Sequence, residues 1–342
     1  MSSSPTGGRF RAYLRFIAAV LWFFVARTLA RHEALGLNSE QWRPLAEQAM
    51  LLFLLLMGYA SMGLVFDRQR HPLSAQGLPP RAGSAGEAGL GLAFGWTLAI
   101  VCVLPLILSG GIAIVLILAP SAWAWLLADV LFFALLALAE EVAFRGYGFQ
   151  RFEHSVGSLG AALGYAAFYA IVQALLPGST RISVAVSLAL SFVLSAAYVR
   201  TRALWVSWGI NFGWKASRAL VFGLAISGDN SHSPVVQGNP MGSFWLTGGG
   251  YGLDGSWVAF IVLLVAIPVV FRLTRELDYH YNAPVIIPAG IPVDLDAASR
   301  RQHESAMGQT APSAPTLVQI LPVSPQPANP GQFNPPVEPP QL

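Results

Sequence analysis

Apolar residues gather in eight long runs, at roughly 12–31, 45–66, 90–110, 122–144, 158–176, 182–199, 203–226 and 256–273, and polar residues crowd into the segments between them. Each run reaches the ~18 residues that mark a membrane span. An unpaired backbone amide or carbonyl in lipid costs several kcal/mol, so only helices and closed barrels cross a bilayer. None of the runs alternates apolar with polar residues as a barrel strand does. The pattern predicts an all-α, polytopic membrane bundle of about eight transmembrane helices. One piece falls outside it. The stretch 111–119, GIAIVLILA, begins at the second of two glycines and is too short to span alone, so it either extends the third helix or re-enters the membrane.

Charge orients the bundle. Arg9, Arg11 and Arg15 precede the first run; Arg68, Arg70 and Arg81 lie between the second and third; Arg151 follows the fourth. Arg200 and Arg202 join the sixth to the seventh, and Arg272 and Arg275 follow the eighth. All fall on one side of an eight-span arrangement, which the excess of basic residues in cytoplasmic loops makes the inner side. Arg27, Arg31 and Arg43 fall in the opposite loop, diluted by Glu33, Glu40 and Glu47. The expectation is an integral protein of the plasma (inner) membrane with both termini cytoplasmic. A net charge of +3 does not argue for nucleic acid, because these arginines sit where topology explains them. The first run ends in VARTLARHE without a small-residue cleavage site, so it reads as a retained helix. The single cysteine, Cys102, lies inside a run and supports no disulfide framework. From about Asn282 the composition turns to Pro, Ala, Gln and Ser, which predicts a disordered cytoplasmic tail over 282–342 beside a membrane domain over 1–281. Trp22, Trp123, Trp125, Trp205 and Trp257 read as interfacial belts.

Only 11% of the chain is charged, so ionisable residues inside the runs stand out. Glu140 and Glu141 close the fourth run, and Arg145 lies one helical turn beyond Glu141 on the same face, with Glu140 turned about 100° away. A helix-end ion pair is the plain explanation. The functional one is a polar cavity, since adjacent carboxylates inside a membrane can activate a water or hold a metal. Lys215, the only lysine, sits mid-run in the seventh helix, where an unpaired charge costs at least ~2.5–3.5 kcal/mol. It is expected to reach Glu140 or Glu141, either as a buried charge network or as part of a site. Arg218, three residues on, extends the same polar face. Gln173 and Asn211 serve either as interhelical hydrogen-bond glue or as site-lining groups. No histidine falls inside a run: His32, His71, His154, His232, His280 and His303 lie in loops, helix ends or the tail. The glycines of LTGGGYG lack the Lys and Ser/Thr of a phosphate loop.

The segment EEVAFRG resembles the EExxxR motif of the CPBP family, the CAAX prenyl endopeptidases and bacteriocin-processing enzymes also called Abi proteins. The resemblance continues through GYAAFYAIVQALLPGS and YVRTRALWVSWGINFGWKAS, and into LVFGLAISG and FWLTGGGYGLDGS, so that it covers about Leu131 to Ser256. It implies a glutamate that activates water with help from a histidine, and a second histidine with an Asn that stabilises the oxyanion; some accounts of the family add a metal. Glu140, Glu141 and Arg145 match the first motif and Trp214 the family's Trp. Elsewhere the chain departs. Gln173 stands at the first histidine position, with Tyr169 where a Phe belongs, Asn211 stands at the second, and Lys215 takes the place of Asn or Asp. An imidazole-based zinc site is therefore not expected, and no cofactor is expected, with a metal left as what the resemblance alone allows.

The reading is an intramembrane endopeptidase that cleaves a membrane-embedded or lipid-anchored peptide with water activated by Glu140. Glu141 and Arg145 position the base, and Gln173 and Asn211 donate to the oxyanion. The rival of another class is a pseudoprotease that binds such a peptide without cutting it, and a weaker rival is an ion or proton carrier.

Overall fold

The computed structural model describes residues 5–232 and 234–277. Each of the eight apolar runs contains a helix, although the seventh, 203–226, is α-helical only over Trp205–Ala216, continues as a π turn over Ser217–Val221 and then leaves the helix. The eight helices are α1 (Pro5–Leu35), α2 (Arg43–Asp67), α4 (Ser84–Leu108), α5 (Pro120–Arg145), α7 (Ser158–Ala174), α8 (Arg181–Thr201), α9 (Trp205–Ala216) and α11 (Trp257–Leu273). Three short helices join them: α3 (Pro72–Ala75), α6 (Tyr147–Val156) and α10 (Phe244–Thr247). The segments containing α1, α2, α4, α5 with α6, and α8 are long and apolar enough to cross a membrane. At 1.5 Å per residue the 17-residue helices α7 and α11 span about 25 Å, slightly less than the ~30 Å hydrocarbon layer. The protein is a helical membrane bundle. Its outer surface carries apolar residues such as Leu108, Leu127 and Val65, which lipid rather than water can cover. The predicted tail from residue 282 lies outside the described residues.

The stretch 111–119 neither extends α4 nor forms a re-entrant helix. Ile112–Leu116 is a strand, β1, paired antiparallel with β2 (Val236–Pro240), with Ile112 opposite Pro240 and Leu116 opposite Val236. Gly110, at φ +75°, turns the chain out of α4 and frees it to do this. The pairing satisfies the backbone of a segment too short to satisfy itself as a membrane helix, and it ties the α4–α5 connection to the segment after α9. Arg27 and Arg31 are helical, not loop residues, because α1 continues to Leu35. Trp22 belongs to no interfacial belt either. Its indole N–H donates to the Leu54 carbonyl at 3.1 Å, and the ring occupies the notch that Gly58 leaves on α2.

Five of the arginines assigned to one side, Arg15, Arg81, Arg151, Arg200 and Arg202, are joined by bonds between neighbouring helices. Asp67, at the end of α2, pairs with both Arg15 and Arg151. Arg202 pairs with Glu153 of α6, Arg81 with Glu87 and the Thr201 carbonyl, and Arg200 with Thr274 beyond α11. These bonds join the ends of α1, α2, α4, α6, α8 and α11 at one end of the bundle.

What places the polar groups of α9 is a seam of glycines. Gly91 and Gly95 of α4 face Gly209 and Gly213 of α9, and a Cβ on Gly213 would stand 2.6 Å from the Leu92 carbonyl oxygen and 3.2 Å from the Trp96 nitrogen. Small residues four apart let two membrane helices touch backbone to backbone. Asn211 and Lys215 lie two positions from these glycines, about 200° around the helix. The close seam on one side therefore turns the polar stripe of α9 toward α5 on the other. Gly213→Leu is expected to force the helices apart, at a cost of roughly 1–3 kcal/mol or more, read as a lower midpoint of unfolding in detergent. Gly89→Ala on α4, where an added Cβ meets nothing within 4 Å, should be neutral or slightly stabilising.

Candidate active site

The last two turns of α5 enter the interior, and Glu141 through Phe149 are all buried. Glu141 and Arg145, one turn apart, are fully shielded from solvent. Arg145 Nη1 donates to Glu141 Oε1 at 3.3 Å, and Nη2 donates to the Ser191 carbonyl at 3.0 Å and to Ser191 Oγ at 2.7 Å on α8. The guanidinium also lies 5.9 Å from the centre of the Tyr169 ring. Arg145 thus fastens α5 to α8 while it neutralises Glu141.

Glu140, turned away from that pair, meets α9. The Lys215 ammonium donates to Glu140 Oε2, and Asn211 Nδ2 donates to Glu140 Oε2 at 2.9 Å and to Glu141 Oε1 at 3.0 Å. One carboxamide therefore bridges the two carboxylates. The four charges form two neutral pairs, which is what burial at membrane depth requires. Lys215 reaches Glu140 and Arg145 reaches Glu141, so the expected link between α5 and α9 is present.

A cavity of about 190 Å³ opens beside the Glu140–Lys215 pair. Glu140, Lys215, Gln173 and Tyr169 line it, with Phe23, Leu51, Phe144 and Val172 as apolar wall. Gln173 Nε2 donates to the Tyr169 hydroxyl at 2.9 Å and touches neither carboxylate. Of the six site residues expected from the sequence, Glu140, Gln173 and Lys215 face the cavity. Glu141, Arg145 and Asn211 form the layer behind it.

Several contributors were not foreseen. Arg27, Glu47 and Gln48, from α1 and α2, complete the wall, and Gln48 Oε1 is buried without a hydrogen-bond partner. Helix amphipathicity gives no warning of them, because a charge near a helix end reads as interfacial. Ile226 and Ser227 close another side. Asp254 holds Ser227 there: its Oδ2 accepts from the Ser227 backbone N–H at 3.0 Å and from its hydroxyl at 3.1 Å, and its Oδ1 accepts from Arg218 Nη1 at 2.7 Å. Arg218 stacks on Trp214, 4.2 Å from the ring centre, and so anchors this wall without reaching the cavity. A lone acid in GLDGS, within range of a membrane-embedded arginine, was the available signal.

The donor set does not fit a divalent metal. The carboxylate oxygens that face one another are engaged by an ammonium, a guanidinium and an amide N–H, and Lys215 sits where a cation would have to bind. Among the described residues no three His, Cys, Asp or Glu side chains converge. His232, the most enclosed histidine among the described residues, pairs with Asp129 at 2.7 Å and stacks on Phe132 near the other end of α5.

Residues 120–217 match the family described as Rce1-like, type II CAAX prenyl endopeptidase Rce1-like. The matched stretch runs from the start of α5 to the end of α9. It includes both charge pairs, Gln173, Asn211 and Ser191, and it leaves α1, α2, α4 and the segment carrying Asp254 outside. No curated protein and no solved structure matches the chain.

Proposed function

We propose that this chain, a CPBP family member on the strength of its Rce1-like segment, is an intramembrane endopeptidase of the CAAX-protease type. The observation that carries the reading is Glu140, the one of the paired carboxylates that faces the cavity, with an ammonium on its Oε2. In the reaction, Glu140 takes a proton from a water in the cavity as the water oxygen attacks the scissile carbonyl carbon. Lys215 supplies positive charge beside the developing oxyanion, and the Gln173 amide supplies a donor from the facing wall. Glu140 then returns the proton to the leaving nitrogen as the C–N bond breaks, which yields a carboxylic acid and an amine, and the acid gives up its remaining proton to the amine in water. Asn211 orients both carboxylates from behind, and Glu141 with Arg145 fixes the helix that carries the base. The apolar wall suits a peptide presented from the membrane, either embedded or lipid-anchored. In this reading both termini face the cytoplasm of a plasma (inner) membrane, as the arginine-rich end implies.

One observation favours a second reading, a pseudoprotease that binds such a peptide and leaves it whole. Both carboxylates are already neutralised by cations, and no imidazole lies among the residues that line the cavity. Release of a fragment from lipid-anchored peptides by the purified protein in bilayer discs distinguishes the two. Cleavage by the wild type, unaffected by chelator, is expected. A silent wild type beside an active Gln173→His/Asn211→His/Lys215→Asn variant would instead establish the lapsed enzyme.

A further inference from the structure

We propose that the arginine-rich end of the bundle binds the phosphate of an anionic lipid headgroup, in a hollow between α1 and α6 and apart from the cavity beside Glu140. The hollow, about 350 Å³, is lined by Arg9, Ala12, Arg15, Arg151 and His154 together with Gly8. Three guanidiniums and an imidazole thus meet at one place, and the carboxylate paired with them is Asp67, which Arg15 and Arg151 share. Neither Arg9 nor His154 makes an ion pair among the described residues. Arg151 is mostly buried, and its Nε has no hydrogen-bond partner.

The cluster carries more positive charge than its one acid balances, on side chains whose forked N–H groups match phosphate oxygens. The hollow stands at the end of a bundle whose outer surface is apolar, where the headgroups of the surrounding lipid lie. A phosphate carried by a lipid is already held at that surface, whereas a free phosphate must be drawn from water. That position favours the lipid. Basic residues at a membrane surface each contribute about fivefold in binding to anionic lipid.

The test uses the full chain in bilayer discs of phosphatidylcholine with and without phosphatidylglycerol. Retained lipid is counted by native mass spectrometry, and the unfolding midpoint is followed alongside. Wild type should retain phosphatidylglycerol in preference and unfold later in its presence. Arg9→Gln/His154→Gln, which breaks no ion pair, should unfold in plain phosphatidylcholine as wild type does and lose roughly tenfold in that preference. Raising the ionic strength should weaken the wild-type preference in the same direction. Equal preference in wild type and variant would overturn the proposal. Saturable binding of inorganic phosphate without any phosphatidylglycerol preference would also overturn it, by assigning the hollow to a soluble anion.

Discussion

Replacing Glu140 with Gln is expected to lower kcat for peptide cleavage by about 10²–10⁴-fold, the usual contribution of a positioned general base. Glutamine keeps the shape but cannot take the proton of the attacking water. The same change removes the counter-charge of Lys215, and a buried ion left alone costs about 3–5 kcal/mol, so the single variant confounds chemistry with folding. Glu140→Gln/Lys215→Met resolves this. Both partners are gone, no uncompensated charge remains, and the double variant should recover most of the unfolding midpoint while staying inactive. Recovery of activity together with stability would show that Glu140 matters only as the counterion of Lys215.

Arg145→Met is expected to be the most destabilising single change in the bundle. It leaves the fully buried Glu141 without a partner and removes the bonds to the Ser191 carbonyl and hydroxyl that tie α5 to α8. The cost should be about 3–5 kcal/mol, measured as a shift of the denaturation midpoint in detergent. Adding Glu141→Gln should return a large part of it. Arg145→Lys should restore less than its charge suggests, because a single ammonium cannot donate to Glu141 and Ser191 from the two arms of a fork.

Most of the bundle can be read from the chain because lipid leaves few choices. A run of some twenty apolar residues must become a helix, and seven of the eight runs did so along most of their length, while the seventh in order stops at Val221 where the chain turns to wall the cavity with Ile226 and Ser227. The stretch 111–119 escaped that logic because its partner, Val236–Pro240, lies more than a hundred residues on, and no local signal announces a strand whose pairing is remote. The pairing of Lys215 with a glutamate was foreseeable, since the only lysine in the chain could not lie at membrane depth alone. Two features of the site were not. The cavity draws part of its wall from α1 and α2, which come together through packing such as Trp22 against Gly58 rather than through any motif. Asn211, expected as a donor to substrate, faces two carboxylates and spends its N–H groups on them, and a sequence does not say which of several acceptors an amide will meet.

Helix α9 carries its packing face and its chemical face on one short cylinder, interleaved two residues apart. Such a helix tolerates exchange of side chains far better than change of length. Inserting or deleting one residue between Gly209 and Lys215 would swing the downstream half by about 100°, sending Lys215 out of line with Glu140 while Gly213 leaves its notch against α4. Relatives that keep this chemistry should therefore vary in length within the connections on either side of α9, and hold the spacing of Gly209, Asn211, Gly213 and Lys215 fixed.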